Sequence, residues 1–146
     1  MMRNFFKQVV LSIYGFFGFK GLEKKRATEV LDKFKDKKVY GQTSNANFFG
    51  QESLGAAKVR GNGVLVLAEG VLYFEMWVPG RELSIPFSSI TGVETPKVFL
   101  GKTKGKALLK VCFKNQSGNA DSAAWLLNNL THWQSAIEKI VTQNKT

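Results

Sequence analysis

Hydrophobic residues follow a helical period near the two ends of the chain and a period of two between them. Helical spacing over residues 22–38 and again over residues 130–141 predicts two amphipathic helices. From about residue 48, short stretches alternate apolar and polar side chains, as half-buried antiparallel strands do. The turns between these stretches are too short for crossover helices, which excludes a parallel sheet. The pattern predicts an α+β, mainly β protein of about seven strands with a C-terminal helix.

The alternating stretches predict which side chains point into the core. The inward positions are Leu72, Phe74 and Met76; Leu83, Ile85 and Phe87; and Leu109, Val111 and Phe113. The intervening carboxylates are expected to be ordinary outward charges: Glu69, Glu75, Glu82 and Glu94. One apolar stripe is predicted on the last helix, formed by Leu130, Trp133, Ile137, Ile140 and Val141. Thr131 and Gln134 fit a capping box at its start, although Asn128 or Asn129 could serve as the cap.

The first twenty residues predict an additional amphipathic helix. At 100° per residue one arc collects the apolar side chains Phe5, Phe6, Val9, Val10, Ile13, Phe16 and Phe17. The uncharged run from Val9 to Phe19 would reach about 16 Å as a helix, half of a hydrocarbon core of about 30 Å. No small-residue cleavage site follows it, which disfavours a cleaved signal peptide. The helix is therefore expected either to lie in a membrane surface or to dock on protein, and a span across the bilayer is the least favoured alternative.

Charge is concentrated at the two ends of the chain. The net charge is +10, with +6 in residues 1–46, −1 in residues 47–101 and +5 in residues 102–146. Such a basic balance favours polyanions or anionic membranes as partners. The expected organisation is a membrane- or partner-binding helix in residues 1–20, a second helix and linker in residues 21–46, and a folded domain in residues 47–146. Within the second segment, residues 42–47 fit a linker or the approach to a first strand.

The segment from Gly61 to Glu94 combines a Gly-started hairpin holding the Leu72 and Phe74 pair, Arg81 in the following turn, and the corner Ile85-Pro86 with Ile90. This combination resembles the bacterial pleckstrin-homology-like and GRAM-like domains. The resemblance implies a bent antiparallel barrel of about seven strands closed by a C-terminal helix, acting as a binding scaffold without catalysis. It implies anion binding near Lys58 and Arg60, which match part of the phosphoinositide-binding pattern of eukaryotic relatives.

Candidate chemistry other than binding finds little support in the sequence. His132 is the only histidine and Cys112 the only cysteine, so neither a catalytic site nor a metal site nor a cofactor is predicted. The run Gly101-Lys102-Thr103 lacks the earlier glycine of a phosphate loop and does not open a helix. The most concentrated basic loop contains Lys97, Lys102, Lys104 and Lys106. Nucleic acid is not favoured as its partner, because Phe99 is the only aromatic residue beside these cations.

These observations lead to two competing hypotheses. In the first, a non-enzymatic module binds the anionic lipid headgroups of a membrane, through Phe5, Phe6, Val9, Ile13, Phe16 and Phe17 and through Lys58, Arg60, Lys97, Lys102, Lys104 and Lys106. In the second, the same N-terminal face packs on a protein partner or on a second copy in a homo-oligomer. The expected location is the cytoplasm, with a peripheral position on the inner face of the cell membrane under the first hypothesis.

Overall fold

The computed structural model describes residues 21–55, 60–78 and 81–145. Two helices occur in this part of the chain, α1 (Gly21–Asp32) and α2 (Leu130–Asn144). Its strands are β1 (Val39–Gln51), β2 (Gly61–Ala68), β3 (Val71–Met76), β4 (Glu82–Pro86), β5 (Ile90–Glu94), β6 (Leu109–Lys114) and β7 (Ala120–Leu126). Short 3-10 turns at Glu52–Leu54 and Phe87–Ser89 follow β1 and β4.

The seven strands form one antiparallel sheet with the order β4-β3-β2-β1-β7-β6-β5. The order runs from β4 to β5, so the sheet is open at these two strands. A mainly β, antiparallel fold of seven strands with a C-terminal helix is thereby confirmed. The predicted helix in residues 1–20 lies outside the described residues, as does Lys58.

The chain divides into two compact units, and the first contains the described residues up to Asn45 together with Asn62–Ser84. Its core is made of apolar side chains from α1, the turn after it, β1, β2 and β3: Ala27, Val30, Leu31, Phe34, Val39, Val64, Val66, Ala68 and Tyr73. Each large side chain buried in this way contributes about 1.5–3 kcal/mol to folding. The helical face predicted from the spacing of residues 27, 30, 31 and 34 is therefore buried as expected.

Helix α1 ends at Asp32, before the predicted limit at residue 38. The backbone N–H groups of Lys33 and Phe34 donate to the carbonyl groups of Val30 and Leu31, at 3.1 and 3.0 Å, which closes the helix with tighter turns. Phe34 is the last apolar side chain of the segment to be buried, and residues 35–38 are exposed. Continuing the helix would bury nothing more, so the chain turns and enters β1.

Residues 42–47 lie inside β1 and are not a linker. Their polar side chains obscure the strand in the sequence, but hydrogen bonds to neighbouring elements stabilise it. The indole N–H of Trp77 donates to the carbonyl O of Ser44 at 2.8 Å, and the hydroxyl of Ser44 donates to Glu23 at 2.9 Å.

Gly63 allows β2 and β3 to approach closely. A Cβ atom at this position would lie 2.5 Å from the carbonyl O of Glu75 and 2.7 Å from the ring of Phe74. Gly63 lies near the start of β2, which begins at Gly61. Glycine is needed here because the neighbouring strand leaves no room for a side chain, and not because the chain turns.

The second unit contains Ala46–Gly61 and the described residues from Ile85 onwards. Helix α2 packs on β5 and β6 and buries Trp133, Ile137 and Ile140, which confirms the centre of the predicted stripe. The capping box predicted at Thr131 is wrong, because the helix begins at Leu130. Asn129 occupies the N-cap position in a left-handed conformation, with φ of 57°, and its side chain makes no capping hydrogen bond.

Candidate functional site

A β-bulge in β1 holds Phe49 in contact with two basic residues of the second unit, Arg60 and Lys102. Phe48 pairs with Trp125 and Gly50 pairs with Ala124, so Phe49 is the extra residue between two ladder positions. Gly50 has a φ of 128°, and a Cβ atom there would lie 3.1 Å from Cδ1 of Leu100. Only glycine combines this conformation with this contact at low cost.

A tight hairpin brings Lys102 back to the bulge. Phe99 and Lys102 exchange both backbone hydrogen bonds, at 3.0 and 2.9 Å, around the turn residues Leu100 and Gly101. Both turn residues have positive φ, 52° and 76°, as a type I′ turn requires. A leucine in this conformation costs about 1–2 kcal/mol. Leu100 packs against a buried cluster that includes Phe49 and Phe99, and this contact offsets the strain.

Arg60 and Lys102 meet at Phe49. The Nζ atom of Lys102 donates to the carbonyl O of Phe49 at 3.1 Å. The guanidinium carbon of Arg60 lies 4.3 Å from the centroid of the Phe49 ring, in cation–π geometry. Two of the predicted anion-binding residues, 42 positions apart in sequence, therefore contact the same residue, Lys102 at its backbone carbonyl and Arg60 at its ring.

The other described residues of the predicted set lie on the hairpin and beyond it. We call residues 97–106 the basic hairpin segment; it contains four lysines and no carboxylate. Lys97, Lys104 and Lys106 are exposed. Val98, next to Lys97, is 55% exposed, whereas Phe99 is buried. The segment thus presents an apolar side chain among cations, which suits an anionic surface with an apolar interior.

A buried ion-pair network occupies the first unit and was not predicted. Glu75 is only 8% exposed, so its prediction as an outward charge is wrong. Its carboxylate accepts hydrogen bonds from Arg26, from Lys33 at 2.7 Å and from the hydroxyl of Tyr73 at 2.6 Å. Arg26 also donates to the carbonyl O of Met76 at 3.1 Å. Lys33, directly after α1, is the most exposed member of this network.

The network keeps its groups in fixed protonation states at neutral pH. Burial alone would raise the pKa of Glu75, but the hydrogen bonds from Lys33, Tyr73 and Arg26 outweigh it and lower the pKa. Burial, followed by the hydrogen bond to Glu75, raises the pKa of Tyr73 to about 12. The hydrogen bond to Glu75 is also the main reason that the pKa of Lys33 is raised. These groups satisfy one another, and the arrangement ties α1 to β3.

A second buried carboxylate, Asp121, holds the end of β1. Its oxygens accept from the Gln51 amide at 2.7 Å, the Ser53 hydroxyl at 2.7 Å and the Ser53 backbone N–H at 3.0 Å. Burial would raise the pKa of Asp121, but these bonds and that from the Ser122 N–H lower it. Asp121 is 3% exposed, and its donors fix the 3-10 turn after β1 against β7.

The residues considered for catalysis do not converge. His132 is exposed in the first turn of α2. Burial, with a smaller contribution from Glu94, raises the pKa of the Cys112 thiol and exceeds the opposite effect of Lys110. The thiol therefore stays protonated near neutral pH. No group of three or more His, Cys, Asp or Glu side chains suited to a metal ion occurs within residues 21–55, 60–78 and 81–145.

The predicted N-terminal surface cannot be placed, because Phe5, Phe6, Val9, Ile13, Phe16 and Phe17 lie outside the described residues. Both hypotheses for it stay predictions. Among the helices that the structure describes, none has the length and apolarity needed to cross a bilayer.

The buried polar network left a weak signal in the sequence. Arg26 and Lys33 are seven positions apart, which places them on one face of a helix. Tyr73 and Glu75 are two positions apart, which places them on one face of a strand. That these two pairs complement each other in charge and hydrogen bonding becomes apparent only when the helix face and the strand face are known to pack together.

Comparisons with known proteins bear on the fold. No protein-family model matches the chain, and no curated protein matches it in sequence. Among solved structures, it is similar to the C-terminal domain of an unknown protein from Leishmania infantum, with a TM-score of 0.54 and 12% sequence identity. The similarity covers 77% of this chain and 93% of that domain. At this identity the similarity shows a shared fold and nothing about a shared ligand.

Proposed function

We propose that this protein is a non-enzymatic, pleckstrin-homology-like binding module that associates peripherally with anionic membrane surfaces. The contact would be made by the basic hairpin segment and Arg60, assisted by the predicted N-terminal helix. The natural surface would be the cytoplasmic face of the cell membrane, whose leaflet carries anionic lipid.

The observation that carries this proposal is the convergence of Arg60 and Lys102 on Phe49, at the base of a hairpin that holds three exposed lysines and the exposed Val98. The type I′ turn and the bulge fix the two inner cations, so little ordering is needed on binding. The outer lysines are free to adapt to mobile headgroups.

The expected affinity is modest. A lysine near an anionic leaflet contributes about 1 kcal/mol, so the four lysines of the hairpin contribute about 4 kcal/mol. This corresponds to roughly a thousandfold in partitioning, which is weak for an anchor by itself. Stable association therefore needs a second contribution, and the apolar face predicted for residues 1–20 would supply it.

The pleckstrin-homology-like identity is supported by the positions of the residues that carry the sequence resemblance. Leu72 and Phe74 lie buried in β3, Pro86 ends β4 and Ile90 begins β5. Seven antiparallel strands followed by one helix is also the order of elements that the resemblance implies.

Vesicle sedimentation tests the proposal with the full chain. The vesicles are mixed phosphatidylcholine–phosphatidylglycerol, with pure phosphatidylcholine as the reference. We expect the triple variant Lys97→Gln, Lys104→Gln, Lys106→Gln to partition about 100-fold more weakly to the anionic vesicles. The control variant Lys35→Gln, Lys37→Gln, Lys139→Gln removes the same charge from exposed positions elsewhere and is expected to stay close to the original protein.

Equal loss in both triple variants would mean that net charge, and not the hairpin, determines binding. No binding by the original protein would refute the proposal. A further variant, Phe16→Asp with Phe17→Asp, examines the N-terminal helix. Light scattering of this variant reports whether those side chains hold copies of the chain together instead.

A further inference from the structure

A groove in the second unit lies between the 3-10 turn Phe87–Ser89, the start of β5 and the last turn of α2. Its volume is about 300 Å³. The lining residues are Ser88, Ser89, Ile90, Thr91, Lys114, Val141, Asn144 and Lys145. This volume is at the lower end of the range of about 300–1,000 Å³ that is typical of small-molecule sites.

The walls of the groove are held in place by Asn144. Its side-chain amide donates to the carbonyl O of Phe87 at 2.7 Å and to that of Ile90 at 3.1 Å. The hydroxyl of Ser89 closes the turn by donating to the carbonyl O of Pro86 at 2.8 Å. The helix and the turn are thus joined by polar contacts, so the groove is formed before any ligand arrives.

The lining combines cations and hydroxyl groups over a small apolar floor. Ile90 is buried and Val141 half-buried, and they provide the floor. Lys114 and Lys145 supply two positive charges, and none of the lining residues is a carboxylate. The C-terminal end of α2 carries a partial charge of about −0.5. The two ammonium groups carry a larger charge of opposite sign, so the groove is positive overall.

The hydroxyl groups of Ser88 and Thr91 complete the set of donors. Both residues are exposed on the groove side of the turn and of β5, and neither hydroxyl hydrogen-bonds to another residue of the described ranges. Hydroxyl and ammonium donors around a small cavity match the several acceptor oxygens of a phosphate group.

We infer that this groove binds the phosphate of a small organophosphate, with the ammonium groups of Lys114 and Lys145 and the hydroxyls of Ser88 and Thr91 as its donors. Ile90 and Val141 would contact the organic part. The phosphate can belong to a soluble metabolite or to a lipid headgroup, since the groove would bind the same group in either case. The site is separate from the basic hairpin segment and does not depend on the proposed membrane contact.

NMR titration of the ¹⁵N-labelled full chain tests the inference. The probes are inorganic phosphate, sn-glycerol 3-phosphate and monomeric dihexanoyl phosphatidylglycerol. We expect saturable shifts of the amide signals of residues 88–91, 114 and 145 with at least one organophosphate. The variant Lys114→Gln, Lys145→Gln is expected to bind more weakly by about a hundredfold, near tenfold for each charge-assisted hydrogen bond.

The matched control is Lys37→Gln, Lys139→Gln, which removes equal charge from exposed positions away from the groove lining. Binding of glycerol phosphate alone supports a soluble ligand, and binding of the short-chain lipid supports a headgroup. A second variant, Ser88→Ala with Thr91→Ala, should weaken binding without changing charge. The inference is overturned if neither organophosphate shifts these signals, or if the groove variant and the control bind alike.

Discussion

The guanidinium group of Arg26 on α1 donates both to the carboxylate of Glu75 and to the backbone carbonyl of Met76 on β3. One side chain thereby joins the helix to two consecutive residues of the strand. Removing the charge of Glu75 would leave the half-buried Arg26 with only the more exposed Glu29, 3.2 Å away, as its counter-ion. This penalty exceeds the small net value of a typical surface ion pair.

We therefore expect Glu75→Gln to lower the free energy of unfolding by about 1–3 kcal/mol, because the buried carboxylate that accepts from Arg26, Lys33 and Tyr73 is replaced by a neutral amide. Urea denaturation followed by tryptophan fluorescence measures this change. Glu138→Gln, an exposed position on α2, is the control and should change stability by less than about 0.5 kcal/mol. A loss at Glu75 no greater than at Glu138 would show that the network adds nothing to stability.

Acid should destabilise the protein through Glu75 and Asp121. Both carboxyl groups have a lowered pKa in the folded state, so the folded state binds fewer protons than the unfolded state as the pH falls. Their contribution is complete above the unfolded values of about 4, and it is lost as the pH falls through the folded values. Melting temperatures between neutral pH and pH 3 should show this decline. In Asp121→Asn the decline should be shallower, and an unchanged slope would exclude Asp121 as a source.

Alkali should act on Tyr73. Its pKa of about 12 lies above the unfolded value of about 10, so its contribution to stability is present below pH 10 and is lost as the pH approaches 12. Absorbance of tyrosinate during an alkaline titration should show an ionisation phase near pH 12. Tyr73→Phe should remove that phase. Retention of the phase in Tyr73→Phe would assign it to another tyrosine.

The contact at Gly63 provides a steric prediction. In Gly63→Ala the new methyl group meets the carbonyl O of Glu75 at 2.5 Å, so the strands must separate, at a cost of about 1–3 kcal/mol. Gly92→Ala in β5 is the matched control, because nothing lies within 4 Å of its Cβ position. Chemical denaturation should separate the two variants. Equal stabilities would mean that the β2–β3 pair adjusts without cost.

Salt should weaken the proposed membrane contact. The lysines of the basic hairpin segment are mostly exposed, and charges further apart than about 8 Å are screened at physiological ionic strength. Vesicle partitioning measured at rising sodium chloride should fall for the original protein and remain nearly flat for the Lys97, Lys104 and Lys106 triple variant. A flat response of the original protein would point to apolar insertion as the main source of binding.

The sequence predicted the strands and the last helix because their buried faces repeat locally. Leu109, Val111 and Phe113 alternate with more exposed neighbours in β6, as the period of two requires. In β3 the same pattern misled, because all residues from Leu72 to Met76 are buried. The partners of Glu75 are Arg26 on α1 and Lys33 directly after it, 49 and 42 positions away. No local pattern in the sequence reports a helix that covers the polar face of a strand.

The sequence was sufficient to predict which residues belong to the candidate site, but not how they are arranged. The cluster of lysines was visible, and Arg60 was named through a family resemblance. Their meeting at Phe49 depends on a bulge and on a type I′ turn with a leucine in its first position. Neither irregularity follows from propensity, since leucine is a poor choice for positive φ.

The bulge and the turn also bear on which substitutions natural variation would tolerate. Cations along an exposed loop are interchangeable, since a lysine lost at one place can be replaced by one nearby. Gly50 and Gly101 have no such substitutes, because other residues adopt their backbone angles only at a cost in free energy. In diverged copies of this protein the two glycines should therefore be retained more often than any single lysine. A search for relatives should give the backbone conformation of the loop more weight than its charge.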